Sequence, residues 1–123
     1  MRLKVIDNLE LKVHYMNLHD EPFKKIQNLT KTIEMRLNDE KRKLLTIGDT
    51  IIFTNNVTNE ILKCKILNLH YFNTFGELYS SFDKISIGYS QDEVADPKDM
   101  EQYYDQEKIQ QYGVVGIEIK VLE

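Results

Sequence analysis

The sequence predicts a small α+β domain, a single unit over residues 1–123, on three observations. Five stretches read as strands, most of them alternating apolar and polar residues with the period of two that marks a half-buried strand. Shorter stretches between them repeat apolar residues at the three-to-four spacing of an amphipathic helix. A chain of 123 residues with 41% hydrophobic content is long enough and apolar enough to bury a core. Strands come from both ends of the chain, and a short sheet built that way can curl and close, leaving no exposed edge.

The first strand is expected where Leu9, Leu11, Val13 and Tyr15 alternate with Glu10, Lys12, His14 and Met16. Asn17 to Asp20 ends it. Asp20 suits a helix N-cap, with Glu21 and Pro22 in the first turn and Phe23 and Ile26 at helical spacing. The resulting helix, about residues 21–28, carries Lys24 and Lys25 on its wet side. It delivers the chain into a second strand, Lys31 to Leu37, and then into a charged turn, Asn38 to Lys43. Gly48-Asp49 turns into a third strand, Thr50 to Thr54. Asn55 to Asn59 has hairpin chemistry, since asparagine tolerates positive φ, and the fourth strand runs from Glu60 to Leu69 and on toward Phe72. Thr74 is placed to cap a helix over about residues 75–83, with Phe75, Leu78, Tyr79 and Phe82 on its apolar face. Asp96-Pro97 starts, and Gly113 stops, one or two helices broken near Asp105. Val114 to Leu122 is the last strand.

The second strand holds the most chemistry. Ile33, Met35 and Leu37 share the face that should be core; Thr32, Glu34 and Arg36 share the other, with Lys31 at the strand's mouth. Glu34 and Arg36 sit roughly 6.6 Å apart along the strand, so carboxylate and guanidinium can pair, with Lys31 close enough to join. Spacing leaves two readings open: a solvated surface pair worth about 0–1 kcal/mol, or a polar cluster lining a ligand cleft.

Net charge is −4, which argues against indiscriminate duplex nucleic-acid binding. The charge is uneven. Lys24 to Lys43 holds seven basic residues and three acids, whereas Asp92 to Glu107 holds seven acids against Lys98. Such asymmetry permits a local anion-binding surface on an acidic protein. The single cysteine, Cys64, lies in an apolar strand and reads as a buried reduced thiol. No apolar run approaches the ~20 residues of a membrane span, and the N-terminus has no apolar signal core, so a cytoplasmic protein is expected. His14, His19 and His70 lack metal-ligand spacing, and Gly48, Gly76, Gly88, Gly113 and Gly116 are too scattered for a phosphate-cradling loop; neither metal nor cofactor is expected. Tyr71, Phe72 and Tyr89 are the aromatics available to stack on a base.

Lys31-Thr32-Ile33-Glu34-Met35-Arg36-Leu37, preceded by Phe23-x-x-Ile26 and followed by Ile47-Gly48-Asp49-x-Ile51-x-Phe53, resembles the ASCH family of the PUA-like superfamily. Phe75-Gly76-Glu77-Leu78, Gly88-Tyr89 and Tyr112-Gly113-Val114-Val115-Gly116-Ile117 also match small bacterial members, so the resemblance spans roughly residues 11–122. It implies a small closed, mostly antiparallel β-barrel of about five to six strands with helices packed around it. It implies a charged cleft at one end of the barrel, lined by the Lys-x-x-Glu-x-Arg block, and a link to RNA. Some relatives are amidohydrolases that remove the acetyl group from N(4)-acetylcytidine. They use a lysine at the place of Lys31, a threonine at the place of Glu34, and a downstream glutamate whose nearest counterparts here are Glu77 and Asp83.

Two functions follow as expectations. The first is an RNA- or nucleotide-binding module: Lys31 and Arg36 contact phosphate or a base carbonyl, Glu34 accepts from a base amine, Tyr89 stacks, and Lys41 and Arg42 add phosphate attraction. The second is a hydrolase acting on RNA or a modified nucleoside, an amidohydrolase or ribonuclease, with Lys31 as catalytic base and Glu34 orienting water or substrate.

Overall fold

The computed structural model describes residues 11–122. Its strands are β1 (Val13–Leu18), β2 (Ile33–Leu37), β3 (Thr50–Asn55), β4 (Ile61–Phe72) and β5 (Val114–Val121). Its α-helices are α1 (Asp20–Gln27), α2 (Phe75–Ser81) and α3 (Gln106–Tyr112), with single 3-10 segments at Arg42–Leu44 and Pro97–Gln102. The expected helical region after Asp96 is thus two elements. Asp96 and Asp105 cap them, accepting from the backbone N–H of Lys98 and Lys108. Thr74 caps α2 by accepting from the Glu77 N–H, as the sequence predicts. Asp20 is not the N-cap of α1. His19 holds that place, and Asp20 lies in the first turn, accepting from Asn55 Nδ2 at 2.9 Å.

The sheet order is β1-β3-β4-β5-β2. β1 runs parallel to β3, and every other pairing is antiparallel. The expected closed barrel does not form: the five strands make a half-barrel with β1 and β2 as its two unpaired edges. The reason lies in what stands between them. Arg36 Nη2 donates to the Asn17 carbonyl at 2.8 Å, and Lys41 Nζ donates to the Tyr15 carbonyl at 3.1 Å. Side chains from β2 and the turn after it occupy the edge of β1 where a ladder would otherwise run.

The concave face of the sheet packs Met16, Ile51, Phe53, Cys64, Ile66, Val115 and Ile117 around Phe23 and Ile26 of α1. A second cluster joins Ile33, Met35 and Leu37 of β2 to Phe75, Leu78, Met100 and Ile109, so α2, α3 and the 3-10 segment cover one end of the convex face. The alternation in β1 does not mark its core face, because both faces are apolar. Met16 and Leu18 are buried, while Leu11, Val13 and Tyr15 are exposed. The part of that expected strand at Leu9 and Glu10 lies outside the described residues. Gly113 ends α3 at φ 71°, and a Cβ there would come within 2.9 Å of the Phe72 carbonyl oxygen. Only glycine fits that turn into β5.

Candidate functional site

Register places the cluster. Glu34 pairs with Ile117 and Arg36 with Val115, so both side chains share the concave face with the first apolar cluster. Lys31 reaches them from the end of α1, its backbone N–H bound to the Lys25 carbonyl at 3.0 Å. Lys31 Nζ lies 2.9 Å from Glu34 Oε1, and Arg36 Nε donates to Glu34 Oε2 at 2.6 Å. Lys31 is 7% exposed and Glu34 3%. Of the two readings of this strand, the solvated pair is thereby replaced by the buried cluster.

Burial alone would raise the Glu34 carboxyl. The two cations outweigh it and hold the group at about 2. Burial likewise opposes the Arg36 charge, but Glu34 beside it raises the guanidinium above its ordinary value. The Lys31 ammonium, 2.9 Å from Glu34 Oε1, is the neighbour of that buried oxygen, which keeps a second lone pair for a ligand.

The cluster floors a cleft of about 340 Å³ that opens at the gap between the half-barrel's edges. Asn17, Leu18 and His19 from the end of β1 form one wall; Ile87, Gly88 and Tyr89 form another; Tyr79, Met100, Tyr103 and Tyr104 complete it. Gly88 has φ +114°, and a Cβ there would stand 3.2 Å from Lys31 Cδ, so any other residue strains the loop where it closes over the lysine stem. Lys25 fastens that loop, donating to the Gly88 carbonyl at 2.8 Å and to Ser90 Oγ at 3.2 Å. Tyr89 Oη donates to Asp99 Oδ2 at 2.7 Å and lies 2.8 Å from Tyr79 Oη. Burial and both of these bonds push the Tyr89 phenol up, so it stays protonated.

A family model of the ASCH domain matches residues 16–123. The chain belongs to the ASCH domain family. No curated protein matches the sequence. Among solved structures, this ASCH domain is similar to the hypothetical protein PH0355, with 31% identity over 91% of this chain and 100% of that chain, at a TM-score of 0.76. It is similar to PF0455 from Pyrococcus furiosus, with 31% identity over 90% of this chain and 98% of that one, at a TM-score of 0.69. A variant of ZmASCH from Zymomonas mobilis shares the fold, at 14% identity over 90% of this chain and 69% of that chain, with a TM-score of 0.66.

The ASCH fold brings Lys31, Glu34, Arg36 and Tyr89 to one cleft. Lys41 and Arg42 are not in its lining: Lys41 is on the Tyr15 carbonyl, and Arg42 lies 3.5 Å from Asp39. Glu77 and Asp83 stand elsewhere, as acceptors for the backbone N–H groups of Asn73 and of Ile85 and Ser86. Tyr71 and Phe72 border a separate polar hollow. Sequence reasoning does not single out Glu21, Glu93 and Asp99, the cleft's further acids, or Tyr79, Tyr103 and Tyr104 in its walls. The one available signal is the interleaving of tyrosine with acids between Asp92 and Glu107, which reads equally well as a solvated run. Among the described residues no helix is long and apolar enough to cross a membrane, and no group of three or more His, Cys, Asp or Glu side chains could hold a metal ion.

Proposed function

We propose that this ASCH domain is an RNA- or nucleotide-binding module of the cytoplasm, working as one unit, that takes an unpaired base or nucleoside into the cleft. The observation that carries this is the buried Lys31–Glu34–Arg36 cluster at the floor of a tyrosine-walled cleft. Glu34 Oε1, which has Lys31 on one side, keeps a lone pair that suits an exocyclic amine or ring N–H; Lys31 Nζ beside it suits a base carbonyl or a phosphate oxygen. Arg36 is committed to Glu34 and the Asn17 carbonyl, which makes it a positioning residue. Tyr89 offers a ring face while its hydroxyl is tied down. Membership in the ASCH family, within a superfamily linked to RNA, supports the same reading.

Calorimetric titration with cytidine, N(4)-acetylcytidine, uridine and short RNAs tests it. Saturable binding to the wild type, lost in Lys31→Met and Glu34→Gln with the fold intact, is expected; no binding to any of them refutes it.

One observation favours hydrolysis as a second reading. A carboxylate with a free lone pair, 2.9 Å from an ammonium inside a cleft, is a place to hold and polarise a water. In that case Glu34 accepts from the water and orients it, and Lys31 takes the water's proton only as the neutral amine, after giving up its own. Incubation with N(4)-acetylcytidine and with mixed RNA, followed by chromatography, separates the two readings. Product that is absent, or equal with Lys31→Ala, leaves binding alone.

A further inference from the structure

The basic stretch that suggests phosphate attraction in the sequence is largely committed within the fold. Lys24 pairs with Asp20, Lys25 with Glu21 and Glu93, Lys31 and Arg36 with Glu34, Arg42 with Asp39, and Lys43 with Glu40. Lys41 is spent on a carbonyl of β1. A different set of cations lies on the other face of the sheet. On the convex face, at the end that α2 and α3 leave uncovered, Lys63 and Lys65 of β4 and Lys120 of β5 are all exposed. Lys65 and Lys120 are direct cross-strand partners, and Lys63 and Lys65 share a face two residues apart. Among the described residues none of the three has a carboxylate within ion-pair distance. Like charges directly opposed across a ladder oppose folding, so the arrangement gains most when an anion lies over it.

The same face carries what an unpaired base needs. Register runs from Lys63 through Ile52 to Tyr15, and from Lys65 to Thr50. Tyr15 is 64% exposed. Asn17, next on that face of β1, lines the cleft mouth. A chain lying across the face along this line arrives at the cleft.

We propose that this convex face is a second binding surface, for the phosphate backbone of single-stranded nucleic acid, with Lys63, Lys65 and Lys120 on phosphates and Tyr15 under a base. The choice of nucleic acid over other polyanions rests on the function proposed for the cleft. The opposed lysines attract a polyanion in either case. A face this small, with three cations and one ring, suits a single strand, because stacking on Tyr15 requires an unpaired base.

The test is fluorescence anisotropy of the whole chain with a labelled oligouridylate of about twenty nucleotides, from low to physiological salt. Each phosphate contact contributes about 0.7 to the log–log salt slope for a single strand, so Lys63→Ser/Lys65→Ser/Lys120→Ser should lower the slope by about 2 and weaken binding at least tenfold. Tyr15→Ala should weaken it about fivefold or more at a nearly unchanged slope. Arginine at the three lysine positions should restore the slope, which separates charge from folding. Nucleoside binding in the cleft should be unchanged in all these variants, whereas Lys31→Met should lose it and lower the slope by no more than about 0.7. A triple variant with wild-type slope and affinity overturns the proposal. So does a wild type that ignores oligouridylate but binds phosphatidylserine vesicles, or one that dimerises through this face and loses the dimer in the triple variant.

Discussion

Replacing Glu34 by glutamine keeps its shape and removes the charge between two cations. The loss has two faces. Lys31 and Arg36 are left in a buried place with no counter-charge, and breaking a buried pair typically costs 3–5 kcal/mol. The carboxyl's own titration gives an independent figure: a group that falls from 4.5 to about 2 on folding stabilises the folded state at neutral pH by on the order of 3 kcal/mol. The sign follows from the direction of the shift. Because the folded carboxyl is depressed, its contribution is complete above the ordinary carboxylate range and is lost as pH falls from about 4.5 toward about 2. Urea denaturation of Glu34→Gln at neutral pH should show a loss of about 3 kcal/mol, which for a domain of this size lowers Tm by roughly 10 °C. Other depressed carboxyls, among them Asp49 and Glu93, titrate in both proteins, so the difference between variant and wild type isolates Glu34. That difference should shrink toward zero as pH falls through the window. A loss under about 1 kcal/mol, constant with pH, would mean a solvated pair and refute the buried cluster.

Gly88→Ala should destabilise by about 1–3 kcal/mol, from the strained φ and the contact with the Lys31 stem, and should weaken nucleoside binding more than Lys25→Met does; urea titration and calorimetry check both. Cys64 is fully buried, and burial, with the charge of Glu34, pushes its thiol up to about 12. Alkylation of the native protein near pH 8 should therefore run roughly a thousandfold slower than for a free thiol, and rise to the free rate in denaturant.

Element positions were written plainly in the chain because they depend on local chemistry. Thr74 and Asp96 announce helix starts, and Ile33, Met35 and Leu37 announce a strand face. What depends on distant partners was not. Nothing local says that Glu34 will lie beside Ile117 rather than in water; that is a matter of register with a strand some eighty residues on. The orientation of β1 is ambiguous for a related reason, since Tyr15 and Met16 are both apolar enough to be core. Closure is not legible in the sequence because it requires edge pairing, and the side chains of Arg36 and Lys41 already hold the backbone groups that pairing would use. The cleft's tyrosines and acids come from segments with no strong period of their own, and only the 3-10 turn at Pro97–Gln102 carries Asp99 and Met100 to the wall.

The seam held by Arg36 and Lys41 has a consequence for how such a half-barrel changes over evolutionary time. A backbone ladder has one width, and no point substitution can alter it. A clasp of side chains has a width set by the reach of each arm, and one substitution resets it. Arg36→Lys shortens one arm and Lys41→Arg lengthens the other, while the strands of the sheet stay where they are. The aperture is thus a trait encoded at two positions: the exposed Lys41 arm can be exchanged at little cost, whereas the Arg36 arm also carries the counter-charge of Glu34, so a change there alters stability as well.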